Sequence, residues 1–402
     1  MDRPTFATRA YDCVLGVDVG KLSHWACAVS PGGEELLSRP VPNTEPGVDT
    51  LLAGLPARTL VVVDQRRNIG ALVIRRARAA GMDVAYLPGI VEHKVAEALP
   101  GIAKTDSVDA GIIATTALGM PRMLRPVPEE DPALEAVRIM AAERASLLRD
   151  RTACVNALRA RLLESCPTFE AACDFSRPWL AASLAEAGGP WDVLVAGRRS
   201  WSARVRRHGG TAGEARRSLD AISGTRPDEA VVAAEGLYVR RFASRIAEDT
   251  VLVAALDAEI ARVLADDEGY RNLLTVPGIG PKTAAQLVTS VDVSDFRSHD
   301  QLASYCGLAP ATQQSGTSIH YDKAQRGGNK QLKNLLIFSC NSLARSKGRY
   351  GRYMRGCLAR GMTYHSALKA TARKRLKAIY AVMRDGVPYS EETTGRVPAP
   401  LG

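Results

Sequence analysis

Between Thr59 and Asp64 the chain reads Leu-Val-Val-Val, with no polar position in the run. Successive residues of a strand face opposite sides, so such a stretch reads as a fully buried strand, covered above and below. The flanking sequence extends the pattern. Cys13-Val14-Leu15-Gly16-Val17-Asp18-Val19-Gly20 is a second short apolar run ending in glycine. His24 to Val29 follows closely, then Pro31-Gly32-Gly33 as a hairpin turn, then Leu36-Leu37 and Val41. After the buried run, a helix from about Ile69 to Ala80 leads to the short strand Asp83–Leu87. Antiparallel strands followed by β-α-β units predict an α/β fold of the RNase H-like (RuvC-like) kind over residues 1–125.

The middle, residues 126–268, predicts helices. Leu134, Ala141, Leu148, Val155 and Leu162 recur every seven residues, and Ile246, Val253, Leu256, Ile260 and Val263 follow at about 3.5-residue spacing. Two such runs point to a coiled-coil-like pair, interrupted where Arg144 and Arg151 enter the first seam. Between them, Gly, Pro and Arg clusters give residues 166–227 no clear pattern. From residue 269 to 390 the expectation is a mainly α-helical domain, with 391–402 as a tail. It opens on Leu273-Leu274-Thr275-Val276-Pro277-Gly278-Ile279-Gly280-Pro281-Lys282, a helix-hairpin-helix pattern. Gly278 and Gly280 let the backbone approach a phosphate, the next helix N-terminus favours an anion, and Lys282 adds charge. The same glycines also serve a tight packing turn between core helices.

Charge is distributed unevenly. The chain carries 53 Lys+Arg against 43 Asp+Glu, a net charge of +10. Lys323 to Arg384 alone holds 16 basic residues and no acidic one, so the remainder is mildly acidic. Apolar positions such as Leu332, Leu336, Leu368, Leu376 and Ile379 thread this block, which argues for folded helices against a polyanion. Lys323, Arg326, Lys330, Lys333, Arg345, Lys347, Arg349, Arg352 and Arg355, with Tyr350 and Tyr353, suit backbone contacts and stacking. Arg373, Lys374 and Arg375, with Lys377, form a second cluster. No run approaches the roughly 18 apolar residues of a membrane helix, and Met1–Asp12 has no apolar signal core. The eight scattered cysteines read as small buried residues, with neither a disulfide framework nor a zinc site. A soluble, cytoplasmic, nucleoid-associated protein is expected, with no membrane partner.

Four carboxylates carry the chemistry. Asp18 lies in the first strand and Asp64 ends the buried one. Asp106 and Asp109, in Lys104-Thr105-Asp106-Ser107-Val108-Asp109-Ala110, stand three apart at a helix start, on one face. Oxygen-only ligands in that number suit Mg²⁺ or Mn²⁺, and two such ions stabilise both oxygens of a phosphodiester displacement. Taken singly, Asp64 also reads as a turn residue and Asp106 as a helix N-cap.

The motifs together resemble the DEDD-type insertion-sequence transposases, the group related to the Piv DNA invertase and described as bridge-RNA-guided serine recombinases. The N-terminal likeness rests on Gly16-Val17-Asp18-Val19-Gly20-Lys21 with His24-Trp25, on Val63-Asp64, and on Lys104-Thr105-Asp106 with Asp109-Ala110. The C-terminal likeness rests on Pro277–Gly280, Tyr305-Cys306-Gly307-Leu308-Ala309-Pro310, Ser315-Gly316, and Gly327-Gly328-Asn329-Lys330 with Leu332-Lys333. It spans nearly the whole chain.

The resemblance implies an acidic metal-binding tetrad at Asp18, Asp64, Asp106 and Asp109. Family members usually carry glutamate at the second position, where this chain has the shorter Asp64. It further implies a serine nucleophile at Ser315, a covalent phosphoserine–DNA intermediate, donor and target DNA, a structured guide RNA, and a homodimer or tetramer on DNA. Two other readings explain part of the pattern: an RuvC-like nuclease without a covalent intermediate, and an inactive DNA-binding relative. Gly16–Gly20 also resembles the first phosphate loop of actin-like ATPases, but no second phosphate loop follows.

Overall fold

Strand β1 (Cys13–Asp18) is the organising strand of the first unit of the chain. It pairs antiparallel with β2 (Ser23–Val29), which pairs antiparallel with β3 (Glu35–Pro42). After α1 (Glu45–Ala53) the chain returns on the other side of β1 as β4 (Thr59–Val63), now parallel. Helix α2 (Ala71–Ala79) leads to β5 (Asp83–Tyr86), parallel to β4. Helices α3 (Gly89–Ala98) and α4 (Asp106–Gly119) precede β6 (Arg125–Pro126), antiparallel to β5. The sheet order is β3-β2-β1-β4-β5-β6.

All five residues of β4 are buried, as an uninterrupted apolar strand requires. Val61 and Val63 pack with Leu15 and Val17 against Leu51 of α1 and Val73 and Ala77 of α2. Leu60 and Val62 face the opposite way, with Val14, onto Ala110, Ile113 and Ala114 of α4. Helices on both faces of a mixed sheet make this an α/β unit, residues 1–129.

The computed structural model describes residues 6, 8–66, 68–98, 105–127, 131–313, 321–324 and 329–391, with residues 9, 310–313 and 321–324 described in backbone alone. Residues 130–402 form the second unit. Its frame is a pair of long helices packed on each other, α5 (Pro132–Ser165), 34 residues, and, later in the chain, α10 (Glu229–Val263), 35 residues. Ile246, Val253 and Ile260 on the second of these are buried. Arg144, which interrupts the apolar seam of α5, reaches Asp257 of α10 at 2.6 Å.

Between the two long helices lie α6 (Pro167–Ala172), α7 (Pro178–Ala187), α8 (Pro190–Arg207) and α9 (Ala212–Asp220). Proline opens the first three, where its missing N–H has no intrahelical partner to lose. They close a core around Phe169, Trp179, Leu184 and Trp201, whose indole donates to Ser218 at 2.9 Å.

The chain continues through α11 (Glu268–Leu274), α12 (Pro281–Ser290), α13 (His299–Tyr305), the hairpin of β7 (Pro310–Gln313) and β8 (Tyr321–Ala324), α14 (Lys330–Phe338), α15 (Arg349–Ala359) and α16 (Tyr364–Asp385). These helices share a second core, which includes Leu273, Leu287, Leu336, Met354 and Ile379 and reaches Val137 and Ile260 of the long pair. Among the described residues no helix is long and apolar enough to cross a membrane.

Candidate active site and nucleic-acid interface

Val17 and Val63 sit side by side on adjacent parallel strands, so Asp18 and Asp64 emerge together at the carboxyl ends of β1 and β4. That is also where β1 meets an antiparallel neighbour on one side and a parallel one on the other, the kind of position at which α/β sheets leave a crevice. Helix α4 brings the other two aspartates. Gly16 allows its approach: a Cβ there would stand 2.5 Å from both Ala110 O and Ala114 N. The N-cap of α4 is Thr105, whose Oγ1 accepts from Val108 N–H at 3.4 Å, so Asp106 is not the cap. Asp109, one turn inward, is buried, whereas Asp106 is exposed.

The carboxylates influence one another through their charge. The Asp18 carboxyl is pushed up to about 7, first by burial and then by the charges of Asp64, Asp109, Asp106 and Glu92. Burial also raises Asp64, opposed by the Val19 N–H that donates to its Oδ1 at 3.4 Å. Glu92, on α3, is a fifth carboxylate that sequence reading passed over, because Val91-Glu92-His93-Lys94 carries no motif. The loop after Asp18 is clamped by His24. Gly20 N–H donates to its Nδ1 at 3.2 Å, so the proton sits on Nε2 and is donated to Asn43 Oδ1 at 3.0 Å. Burial holds this imidazole below the usual range, in keeping with the neutral form.

The donor set of four carboxylates fits a hard divalent cation in kind, and the raised Asp18 registers like charges that a cation would neutralise. Among the described residues, no three His, Cys, Asp or Glu side chains are drawn close enough to share one ion.

In the second unit the expected nucleic-acid residues divide. Lys330, Arg345, Lys347, Arg352, Arg373 and Lys374 are exposed, and Lys333 and Arg349 half-buried. Several are oriented by local contacts: Arg352 donates to Lys347 O at 2.8 Å, Lys374 lies 4.0 Å over the Tyr353 ring, and Arg373 reaches Asp300 at 3.8 Å. Ser315 and Arg326 lie outside the described residues, and Lys323 is described only as a backbone position in β8.

Two readings are corrected. Arg375, expected among the phosphate contacts, is 0 % exposed. Its guanidinium donates to Pro277 O at 3.2 Å, Leu336 O at 2.9 Å and the Ser339 hydroxyl, at the carbonyl-rich C-terminus of α14 where a cation is favoured. Tyr350, expected as a stacking surface, is also buried, and burial raises its phenol.

Arg375 lies directly under the turn between α11 and α12. Gly278 there has φ of +78°, and a Cβ on it would come within 2.7 Å of Arg375 Nη1. The turn delivers the chain to Pro281 at the start of α12, a first turn that no side chain caps. Beside it, Lys282 Nζ lies 3.1 Å from Asp257, which also holds Arg144.

A mixed α/β unit with aspartates at the ends of β1 and β4 and the start of α4, followed by a basic helical unit, fits a DNA-processing enzyme of the DEDD transposase class. Comparison with known proteins gives its family. Residues 15–167 match the DEDD-type IS110 transposase model, and residues 270–355 match the transposase IS116/IS110/IS902 family. The 43.6 kDa protein of insertion element IS110 from Streptomyces coelicolor is 34% identical over 98% of both chains. The 42 kDa protein of insertion element IS900 from Mycobacterium paratuberculosis is 28% identical over 94% of this chain and 97% of its own. The pilin gene-inverting protein of Moraxella bovis is 37% identical over 30% of this chain and 38% of its own. The chain belongs to the IS110 family of insertion-sequence transposases, enzymes that cleave DNA and transfer its strands.

Proposed function

We propose that Asp18, Asp64, Asp106 and Asp109 form the divalent-cation site of an RuvC-like nuclease centre, and that Ser315 is the nucleophile of a recombination reaction. What supports the metal site is the convergence of β1, β4 and α4, which brings four carboxylates within electrostatic reach of one another. Bound Mg²⁺ or Mn²⁺ would stabilise the charge that develops on the scissile phosphate. Asp64 is one methylene shorter than glutamate, and the Val19 N–H on its Oδ1 leaves Oδ2 for an ion.

In this reading the Ser315 hydroxyl attacks phosphorus and an Oγ–P bond forms as the P–O3′ bond breaks. The serine proton is taken up by a base or solvent, and the departing oxygen is protonated to a free 3′-hydroxyl. The phosphoserine keeps the energy of the broken bond, so a second 3′-hydroxyl can reverse the attack and seal the exchanged strand without ATP. The division of labour follows: residues 1–125 as the metal-dependent domain, 126–268 as a coiled-coil-like spacer, and 269–390 as the serine domain. In the last of these, the helix-hairpin-helix turn at Gly278, Gly280 and Lys282 and the exposed basic side chains hold the DNA backbone.

Donor and target DNA, a structured guide RNA and at least a dimer complete the proposal. Replacing Ser315 with alanine removes the protein–DNA adduct on a denaturing gel while DNA binding persists. Undiminished adduct moves the nucleophile elsewhere. Cleavage that never yields an adduct, even in the native chain, supports a plain RuvC-like nuclease. Sequencing the nucleic acid that copurifies with the protein tests the guide: a discrete RNA species is expected.

A further inference from the structure

The second unit contains a cavity of about 750 Å³ beside the turn at Gly278 and Gly280, within the roughly 300–1,000 Å³ range of small-molecule sites. Its walls are mostly apolar: Ala145 and Leu148 of α5, Ala258 and Ala261 of α10, and Leu335 and Phe338 of α14. Phe338 is 64% exposed, although neighbours on the same helix, Leu336 and Ile337, are buried. Its polar groups come from α5, α10, α12 and α14. Lys282 and Arg144 are held there on Asp257, and the amide of Gln331 donates to Gln286 Oε1 at 3.4 Å. An aromatic face, an apolar slot, paired amides and cations next to an uncapped helix start match one chemistry. A nucleobase has an apolar face to stack and a polar edge to read, and it carries a phosphate on its sugar.

We propose that this cavity receives a single unpaired DNA base, stacked on Phe338 with its edge towards Gln286 and Gln331 and its phosphate at Lys282 and the Gly278–Gly280 turn. The site rests on the reading of that turn as a DNA-backbone contact, and gives the contact a second purpose. A base taken out of the stack there fixes the position of the strand along its axis, which backbone contacts alone leave free to slide. Asp257, the carboxylate in the lining, yields Lys282 to the phosphate when the strand enters.

The test uses the full-length protein and single-stranded DNA oligonucleotides, each carrying one 2-aminopurine at a successive position. Leaving the stack frees the 2-aminopurine from quenching by its neighbouring bases, so fluorescence rises at one or a few positions. F338A, on an exposed side chain, is expected to remove this rise and weaken binding about tenfold, the scale of one stacked base, whereas F338W keeps the affinity. K282Q lowers the salt dependence of binding by about one counterion and leaves the rise in place. If F338A brightens and binds as the native chain does while K282Q still weakens binding, the base pocket is wrong and the backbone contact stands. If neither variant changes binding, both are wrong. A change of oligomeric state in F338A with the rise intact assigns the cavity to a second copy of the chain and overturns the proposal.

Discussion

Each unit of this transposase holds a charge partly or wholly away from water, and the two are treated in opposite ways. Asp18 is half-buried among carboxylates of its own sign, and its carboxyl is driven up to about 7. Arg375 is fully buried, yet two carbonyls and a hydroxyl engage its two terminal nitrogens, near a helix terminus that favours a cation, while its Nε has no partner among the described residues. The second charge is held mostly by the protein itself and does structural work. The first is costly as it stands, and in the proposed metal site a divalent cation would offset that cost. Burial of a charge therefore says little about function until its partners are counted.

The comparison breaks most sharply at the acidic cluster. Asp18→Asn or Asp109→Asn is expected to lower DNA cleavage by at least about 10²–10³-fold, the scale of removing one element of charge stabilisation, while the protein stays folded. Cleavage assays with circular dichroism on the same preparations check this. Next in size, Arg375→Met takes the donor from Pro277 O, while Leu336 O keeps the Ser339 hydroxyl and the Cys340 thiol, and should cost up to about 3 kcal/mol of stability. The loss would appear in thermal unfolding of the second unit. A variant that melts normally but loses DNA affinity would return Arg375 to the interface.

Gly16→Ala places a methyl against the backbone of α4, at a cost of about 1–3 kcal/mol. It should shift Asp109 and weaken ion binding along with stability, read by melting with and without Mn²⁺. The smallest effect is pH-dependent. The Asp18 pKa is raised on folding, so the folded state binds the proton more tightly, and this contribution to stability is present below about pH 4 and lost as pH rises towards 7. The ion-free native chain should lose more stability between pH 5 and pH 8 than Asp18→Asn does. Added Mg²⁺ should close that gap at pH 8.

Much of this was legible beforehand where local sequence and burial agree. The Leu60–Val63 run had to be covered on both faces, and it is; Asp18 and Asp64 follow because each ends a strand beside the other. Helix α4 was visible from its Ala/Ile-rich register, but its cap was not: Thr105 and Asp106 are both competent N-caps, and geometry selected the threonine. Residues 166–227 resisted reading because α6, α7 and α9 have ten residues or fewer, too short for periodicity to emerge. Arg375 was hidden by its neighbours Arg373 and Lys374, although a signal existed. Leu368, Ala372, Arg375 and Ile379 fall at helical spacing on one buried stripe, and only the charge of the third suggested water. Glu92 and the Phe338 cavity arise from tertiary placement, which no local pattern encodes.

The most direct measurement is a titration of Mn²⁺ into the full-length protein at pH 8, followed by electron paramagnetic resonance. The account predicts that the native chain removes Mn²⁺ from the free pool and that Asp18→Asn and Asp109→Asn abolish this uptake. Free Mn²⁺ throughout the native titration, or equal uptake by the variants, would contradict the carboxylate cluster as the metal centre.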